Sequence, residues 1–248
     1  MGELSGKTAV VSGGSGGIGF AICTKFAENG AKVIILDYNK EAIDEVLPTL
    51  VAPEGQKHEG HFYDVTKDDK PPVDFSQVDI LLNGAGVGDG GFLESMENSL
   101  IERIIATNLT GTIKLTKYAL EAWWERADSR TKAQGNGVVI NIASILGLRA
   151  VSPALTVYSA SKGGIIMFTK ALAIEGGAQQ IRANAICPGY VKTNMTEFME
   201  LPDPSPFQEI DDTGDVSRES IAGAAYYFAT NLQVSGAVLS VDKAMCAL

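Results

Sequence analysis

The sequence predicts an α/β fold in which one parallel, doubly wound sheet of about seven strands forms a single domain. Short β-branched runs alternate along the 248 residues with segments whose apolar residues recur at helical spacing. The strand-like runs are apolar at consecutive positions, as in strands buried on both faces of a parallel sheet. No internal repeat and no linker rich in Pro, Gly or Ser divides the chain. We therefore expect one domain over residues 1–248.

The alternation is already clear in the first part of the chain. Strands are predicted at Thr8–Val11, Lys32–Asp37, His61–Tyr63 and Val78–Leu82, and helices at Ile18–Glu28 and Lys40–Leu50. The first helix stops at Asn29-Gly30, a frequent C-terminal cap. His61–Tyr63 gives the weakest strand signal, whereas residues 33–36 are all apolar. The second strand is therefore expected in the middle of the sheet.

The second part of the chain continues this pattern. Helices are predicted at Leu100–Arg126, Thr156–Ile174 and Glu219–Ala229, and strands at Val138–Ile142, Ile181–Ile186 and Ala237–Val241. The segment Leu201–Gly214 contains three Pro and three Asp, which favours a long mobile loop. It follows the sixth strand, at the edge where ligands bind in such sheets, so we expect a substrate loop around residues 193–216.

Charge and cysteine usage exclude several classes of function. Lys and Arg number 20 against 30 Asp and Glu, and a net charge of −10 argues against a nucleic-acid or anionic-membrane surface. No apolar run approaches membrane-spanning length, and the first residues lack the features of a signal peptide. The three cysteines are odd in number and widely spaced, and histidines number two. We therefore predict a cytoplasmic protein with no disulfide framework and no metal site.

A glycine-rich segment, Ser12–Gly19, follows the first strand and opens the first helix. Glycines there permit a tight turn and a close backbone approach to a pyrophosphate, and the helix N-terminus offers free N–H groups to it. A flexible strand–helix turn is the alternative interpretation. The strand–helix context favours a dinucleotide site with the contacts Gly13, Ser15, Gly17, Ile18 and Gly19.

Acidic residues at the ends of the second and third strands support this hypothesis. Asp37 stands 18 residues after Gly19, where a carboxylate can accept hydrogen bonds from the adenosine ribose hydroxyls and would repel a 2′-phosphate. It therefore favours NAD over NADP, although a solvated turn acid is the alternative. Asp64-Val65 ends the third strand and could hold the adenine amino group. Asn83-Gly84-Ala85-Gly86 follows the fourth strand with small residues that let the chain run close to a cofactor.

Tyr158 and Lys162 are four residues apart on a predicted helix, so their side chains share one face. An ammonium near a phenol favours the phenolate, and we expect it to lower the pKa of Tyr158 towards neutrality. Such a phenol suits acid/base chemistry on an alcohol or ketone. Ser144 follows the fifth strand and could hydrogen-bond the substrate oxygen at the same sheet edge.

Taken together, these motifs resemble the classical short-chain dehydrogenases/reductases over nearly the whole chain. The matching residues are Gly13, Gly17, Gly19, Asp64, Asn83-Gly84-Ala85-Gly86, Asn108, Ser144, Tyr158, Lys162 and the run Ile186–Thr193. The resemblance implies an extended Rossmann sheet of about seven strands with nicotinamide across its carboxyl edge. It also implies a homo-oligomer, a tetramer or a dimer.

The resemblance further implies a role for each matching residue. Tyr158 would be the acid/base, and Lys162 would lower its pKa and bind the ribose. Ser144 would hold the substrate oxygen, and Asn108 would keep a proton-relay water in place. The residues expected beside the cofactor in the second half of the chain are Tyr158, Lys162, Pro188, Gly189, Val191 and Thr193; in the first half they include Asn83, Ala85 and Gly86.

The chain departs from the family pattern in several places. Ser12 stands where Thr is usual and keeps the hydroxyl, and Gly84 replaces a usual second Asn. The stretch 64–79 is short and contains Pro71-Pro72, so a full crossover helix is not expected there. Near the end, Lys243 and Ala244 replace two usual glycines, which puts the C-terminal turn in question.

We expect an NAD-dependent oxidoreductase acting on a secondary alcohol or its ketone. One alternative is an NADP-dependent ketoreductase of the 3-oxoacyl carrier-protein reductase type, which Asp37 disfavours. Another is a non-catalytic nucleotide-binding protein on the same fold, which would have no chemical need for the complete catalytic set. The predicted pocket residues suggest an apolar, medium-sized substrate such as a cyclic or lipid-like ketone; they are Val87, Ile145, Leu146, Leu148 and Met195.

Overall fold

In the computed structural model, seven parallel strands form one sheet in the order β3-β2-β1-β4-β5-β6-β7. The structure describes residues 2–126, 135–150, 153–193 and 215–246. The strands are β1 (Thr8–Ser12), β2 (Lys32–Asp37), β3 (Glu59–Phe62), β4 (Ile80–Asn83), β5 (Gly137–Ile142), β6 (Ile181–Pro188) and β7 (Val238–Val241). The predicted fold class is confirmed, because the strand order reverses at β1 as a doubly wound sheet requires.

Helices cover both faces of the sheet. They are α1 (Gly17–Glu28), α2 (Lys40–Val46), α3 (Asn98–Ile105), α4 (Thr112–Arg126), α5 (Thr156–Glu175) and α6 (Arg218–Thr230). One apolar core lies between the sheet and α1, α2 and α6, and a second lies between the sheet and α4 and α5. In β2, Val33 and Ile35 enter the first core while Ile34 and Leu36 enter the second. This double burial explains why the strand is apolar at successive positions.

Two predicted helices are shorter or less regular than their patterns indicated. The second helix becomes α2 and a 3₁₀ turn, Leu47–Thr49, because Pro48 has no N–H to continue an α-helix. The predicted helix Leu100–Arg126 is divided into α3 and α4 by a π-helical segment, Ala106–Gly111. Between β3 and β4 a 3₁₀ turn, Phe75–Gln77, stands in place of a crossover helix, as the prolines predicted.

A buried polar network joins β4 and β5 to the helices beneath them. Asn83 and Asn141 are register partners, and the Asn83 amide donates to Asn141 Oδ1 at 2.8 Å and to Thr116 Oγ1 at 2.9 Å. Asn141 in turn donates to Thr169 Oγ1 at 2.8 Å. Because Thr116 belongs to α4 and Thr169 to α5, the network fixes both helices on the sheet. The donors of this network are paired, whereas Asn83 Oδ1 has no hydrogen-bond partner among the described residues. Directional buried bonds of this kind favour one packing of the helices.

The C-terminal turn forms although its glycines are replaced. Lys243 and Ala244 have φ values of 48° and 69°, in the left-handed region that favours glycine. The Asp242 carboxylate holds the turn by accepting from Ala244 N at 3.2 Å and from Cys246 N at 2.9 Å. The doubt about this turn that the sequence raised is therefore resolved: a local side-chain anchor offsets the backbone strain.

Replacing Ala244 by glycine should relieve this strain. We expect Ala244→Gly to increase the free energy of unfolding by about 0.5–1 kcal/mol, since the loss of left-handed strain exceeds the added freedom of the unfolded chain. Ala171→Gly, at an exposed position of α5, is the matched control and should lower stability by about 1 kcal/mol. Urea unfolding of both variants checks the two signs. Equal destabilisation by both glycines would contradict the strain assignment.

Candidate active site

Four neighbouring strands bring the predicted site residues to one edge of the sheet. β1 leads into the glycine-rich segment, β4 into residues 83–86, β5 into Ser144 and β6 into residues 188–193. Their register aligns Ser12 with Asn83 and Ile142 with Ile186. Since parallel strands end at the same edge, the segments that follow these strands converge there.

The glycine-rich segment packs so closely that side chains would not fit. Gly13 has φ +66°, and a Cβ there would lie 2.8 Å from the Ala85 nitrogen. A Cβ on Gly19 would lie 2.1 Å from the Gly13 carbonyl oxygen. α1 begins at Gly17 with no side-chain cap and no acidic residue in its first turn. Its free N–H groups suit the pyrophosphate of a dinucleotide, so the residues present fit this cofactor.

Asp37 is held beside this segment at the end of β2. Its carboxylate accepts from Ser15 N at 3.1 Å and from Asn39 N at 3.1 Å, and the residue is 7% exposed. These bonds fix a negative charge next to the start of α1. The charge and burial together raise the pKa of the neighbouring Cys23 thiol far above its usual range.

The segments after β3 and β4 are also anchored. Ser12 Oγ accepts from Gly84 N at 3.2 Å and from Ala85 N at 3.4 Å, so serine performs this tethering where threonine is usual. Asp64 Oδ1 accepts from the amide and hydroxyl of Thr66 at 2.9 and 2.7 Å. These contacts leave Asp64 Oδ2 without a hydrogen-bond partner among residues 2–126 and the other described ranges.

Asn108 lies in the π-helical segment, and its side chain is fully used. Oδ1 accepts from Val87 N at 2.8 Å, and Nδ2 donates to Val87 O at 3.0 Å and to Ser161 Oγ at 3.1 Å. The side chain thus clamps the segment after β4 to α5. A π-helical turn often marks a functional site because it moves a backbone carbonyl out of its helical position. The Asn108 carbonyl accepts from Thr112 Oγ1 at 2.9 Å. Because the side-chain amide is occupied, the predicted water would have to bind this carbonyl through its second lone pair.

Tyr158 and Lys162 share the buried face of α5, as their spacing predicted. Lys162 Nζ donates to the Ile142 carbonyl at 2.9 Å and lies 5.7 Å from the centre of the Tyr158 ring. A Cβ on Gly86 would lie 3.6 Å from this ammonium and 3.2 Å from Asn108 Oδ1. The structure therefore brings Tyr158, Lys162, Gly86 and Asn108 together.

Burial moves the pKa values of these two groups in directions that the sequence did not indicate. It raises the pKa of Tyr158 to about 12, and the hydrogen bond with Ser144 only partly opposes this. Burial also lowers the pKa of Lys162 to about 8. The expected lowering of the tyrosine pKa by Lys162 is thus not found in this structure, because desolvation of the phenolate outweighs the hydrogen bond with Ser144.

The segment after β6 contacts the glycine-rich segment. Gly189 N donates to the Val241 carbonyl at 3.0 Å, and a Cβ on Gly189 would lie 2.8 Å from Met245 Sδ. Val191 is buried, and Thr193 Cγ2 lies 2.9 Å from the position that a Cβ on Gly17 would take. Thr193 is therefore beside the start of α1, within reach of a phosphate bound there.

Three residues of the site escaped the sequence analysis. Ser161 bonds the Asn108 amide, and a Cβ on Gly147 would lie 2.6 Å from the Lys162 carbonyl carbon. Cys187 is buried beside Lys162, and burial raises the pKa of its thiol to about 12. Ser161 is adjacent to Lys162 in the sequence, and Gly147 follows Ser144 by three residues. This proximity is the sequence feature that could have indicated both. Cys187 lies in the matching run Ile186–Thr193, but the sequence did not indicate that its thiol is beside Lys162, which belongs to another element.

The predicted substrate-pocket residues lie partly within the described ranges. Residues 194–214 of the predicted substrate loop, with Met195, lie outside the described residues. Of the remaining predicted pocket residues, Ile145 is buried and Leu148 is 45% exposed. Phe92 and Leu93, in the segment after β4, are also exposed apolar side chains.

Two features of the described ranges 2–126, 135–150, 153–193 and 215–246 concern membranes and metals. No helix there is both long and apolar enough to cross a bilayer. No three His, Cys, Asp or Glu side chains in these ranges are grouped so as to hold a metal ion.

Comparison with known proteins gives consistent matches. The family model of the short chain dehydrogenases matches residues 7–202. A 3-oxoacyl-(acyl-carrier-protein) reductase of Chlamydia trachomatis is 36% identical over 98% of this chain and 99% of that protein. A 3alpha-hydroxysteroid dehydrogenase of Mediterraneibacter gnavus is 31% identical over 97% of both chains. The crystal structure of a putative 2-deoxy-D-gluconate 3-dehydrogenase from Agrobacterium tumefaciens with bound NADP has a TM-score of 0.82 and 28% identity, covering 99% and 98% of the chains.

The depressed pKa of Lys162 predicts a pH-dependent contribution to stability. The value falls from 10.5 to about 8 on folding, so the unfolded chain binds the proton more tightly between these pH values. Stability conferred by Lys162 should therefore rise with pH across this window and be lowest below about pH 8. The free energy of unfolding of the wild type, minus that of Lys162→Met, should increase by about 2–3 kcal/mol over this range.

Urea unfolding at several pH values measures this difference. Lys170→Met, at an exposed position of the same helix, is the matched control and should give a difference that stays nearly constant. A difference for Lys162→Met that is equally flat would show that the buried ammonium is not desolvated.

Proposed function

The chain belongs to the short-chain dehydrogenase/reductase family, as its motifs predicted, and we propose that it is an NAD(H)-dependent oxidoreductase of a secondary alcohol or its ketone. The observation that carries this proposal is the grouping of Tyr158, Lys162 and Asn108 beside a glycine cradle at one sheet edge. One domain would carry both the cofactor and the substrate site.

The proposed chemistry assigns a separate task to each side chain. The bound nicotinamide supplies or accepts the hydride. Tyr158 donates its phenolic proton to the ketone oxygen during reduction, or removes the hydroxyl proton during oxidation. Ser144 hydrogen-bonds the same oxygen and orients it. Lys162 lies behind Tyr158 and stabilises the phenolate that remains after donation.

During reduction, the proton that Tyr158 donates must be replaced from solvent. Lys162, whose Nζ lies 5.7 Å from the centre of the Tyr158 ring, can pass a proton on, because its lowered pKa of about 8 makes the ammonium a ready donor. The Asn108 side chain is committed to Val87 and Ser161. We therefore assign the relay water to the backbone of Asn108 and the amide to positioning the segment after β4.

The choice of NAD rests on Asp37. Its carboxylate is fixed by two backbone amides and is mostly buried, so it cannot swing away from a 2′-phosphate. Repulsion in such a partly buried setting is stronger than in water. Asp64 Oδ2 would meet the adenine amino group, next to Val65.

A second candidate is an NADP(H)-dependent 3-oxoacyl carrier-protein reductase. The 36% identity to such a reductase over almost the whole chain favours it, and one structural relative holds NADP. Asp37 argues against it, because a bound 2′-phosphate requires a neutral or basic residue there. A non-catalytic nucleotide-binding role has no such supporting observation.

The substrate is proposed to be an apolar or cyclic ketone or the corresponding alcohol. Exposed apolar side chains follow β4 and β5 at the carboxyl edge: Phe92, Leu93 and Leu148. The names of two relatives, a steroid dehydrogenase and an acyl-chain reductase, also denote largely apolar substrates. Arg149 is exposed beside Leu148 and is assigned to solvent rather than to an anionic substrate.

A homo-oligomer, either a tetramer or a dimer, and a cytoplasmic location complete the proposal. Exposed apolar residues on α4 and α5 support self-association: Ile113, Trp124, Met167 and Ile174. The neighbouring Trp123 is instead buried and donates to the Val78 carbonyl at 2.9 Å. Of these two adjacent tryptophans, Trp124 is therefore the one that a partner subunit could contact. Cys23, Cys187 and Cys246 are free thiols, which favours a reducing compartment.

Cofactor titration tests the proposed nucleotide preference. NADH should bind more tightly than NADPH to the wild type, and Asp37→Ala should narrow the ratio of the two dissociation constants by about tenfold, or about 1.4 kcal/mol. Glu41→Ala, an exposed acidic position at the start of α2, is the matched control and should leave the ratio unchanged. Tighter NADPH binding by the wild type would select the second candidate.

Exchange of a single hydroxyl tests the proposed acid/base. Tyr158→Phe should bind NADH normally but lose about 10²–10⁴-fold in kcat on secondary alcohols or ketones, because the proton has no other donor. Tyr227→Phe, an exposed tyrosine on α6, should keep full turnover. Turnover of Tyr158→Phe near that of the wild type would refute the assignment.

A further inference from the structure

Arg218 lies at the start of α6, far in sequence from the glycine-rich segment but close to it in space. Its Nε and Nη2 donate to the Lys192 carbonyl at 3.1 and 2.7 Å. This two-point contact keeps the side chain against the segment after β6 rather than in solvent. The guanidinium is therefore a positioned cation and not a freely moving one.

The side chain lies beside the first residue of α1. Arg218 Nε lies 3.4 Å from the position that a Cβ on Gly17 would take, and Thr193 Cγ2 lies 2.9 Å from the same point. A side chain at position 17 would thus meet both residues. Gly17, Thr193 and Arg218 together surround the entrance to the α1 N-terminus, where the cradle of free N–H groups opens.

The charges at this point favour an anion. α1 begins at Gly17, beside the guanidinium, so this cation stands near the positive end of the α1 dipole. No carboxylate forms an ion pair with Arg218 in the part of the chain that the structure describes. Glu219, the acidic residue in the first turn of α6, is exposed. The guanidinium and the N-terminus of α1 therefore both contribute positive potential at this point, which favours binding of a negative group.

We infer that Arg218 is a cofactor-binding residue that contacts the pyrophosphate of the dinucleotide from the side of α6. The inference rests on the proposed function in that a dinucleotide occupies the glycine cradle. Nη1, the remaining terminal nitrogen of the guanidinium, has no hydrogen-bond partner among the described residues, and its N–H groups can serve a phosphate oxygen. Arg218 then ties α6 and residues 188–193 to the bound cofactor.

Arg218→Gln tests this contact through binding rather than turnover. We expect the dissociation constants of NADH and of ADP to rise about tenfold, as for loss of a hydrogen bond to a charged group. Adenosine, which lacks the phosphates, should bind the variant and the wild type equally. Lys170→Gln removes the same charge from an exposed site on α5 and should change none of the three constants. Arg218→Lys should fall between the wild type and Arg218→Gln, because it keeps the charge but not the fork.

The possible results distinguish a failure of the Arg218 contact from a failure of the proposed dinucleotide binding. Wild-type protein that binds neither NADH nor NADPH would overturn both. Wild-type binding of NADH together with unchanged NADH and ADP binding by Arg218→Gln would overturn only the role of Arg218. An equal loss of adenosine and ADP affinity would also overturn it, since the arginine would then act by holding the segment after β6 in shape. A loss confined to the phosphate-bearing ligands supports it.

Discussion

The hydrogen bond between Asn83 and Asn141 is the constraint on which the rest of the site depends. It joins neighbouring strands at the level where both end, and Thr116 and Thr169 extend it into α4 and α5. The π-helical segment with Asn108 directly precedes α4, and Tyr158 and Lys162 lie on α5. Because the network is buried and directional, it sets the height of each helix along the sheet as well as its distance from it. The side chains of Asn108, Tyr158 and Lys162, to which we assign the catalysis, therefore owe their relative positions to this network.

Burial then sets the protonation of the site. A phenol with a pKa of about 12 stays neutral at physiological pH, and an ammonium with a pKa of about 8 holds its proton loosely. This state is prepared to donate a proton, as ketone reduction requires. Oxidation requires the phenolate, so the tyrosine pKa must fall first. In the proposed mechanism, Lys162 and the positive charge that a bound oxidised nicotinamide would supply are the groups that could lower the pKa of Tyr158, so that cofactor binding would be part of the acid/base control.

The local pattern of apolar residues predicted the regular strands and helices. The strand Lys32–Asp37 was correct at both ends, because a short run of consecutive apolar residues that is rich in β-branched side chains favours a buried strand. The turn of π-helix at Asn108 was missed, because its sequence keeps helical spacing and the irregularity comes from contacts with Val87 and Ser161. The protonation of Tyr158 was missed for a similar reason: spacing shows which groups are adjacent, whereas the pKa depends on how much water the fold excludes.

The two ends of the proposed cofactor site carry opposite charges, Asp37 at one end and Arg218 at the other. Their separation affects how the site would discriminate between NAD and NADP. Ser15 connects them, since its amide binds Asp37 while the helix that follows begins beside Arg218. In the proposed binding mode, a dinucleotide has its pyrophosphate against the guanidinium and the helix N-terminus, and its adenosine ribose lies towards the Asp37 carboxylate. Stronger attraction at the pyrophosphate therefore holds a 2′-phosphate more firmly against Asp37. The arginine that favours binding of both dinucleotides would leave discrimination between them to the fixed carboxylate, because neither charge can move to relieve the other.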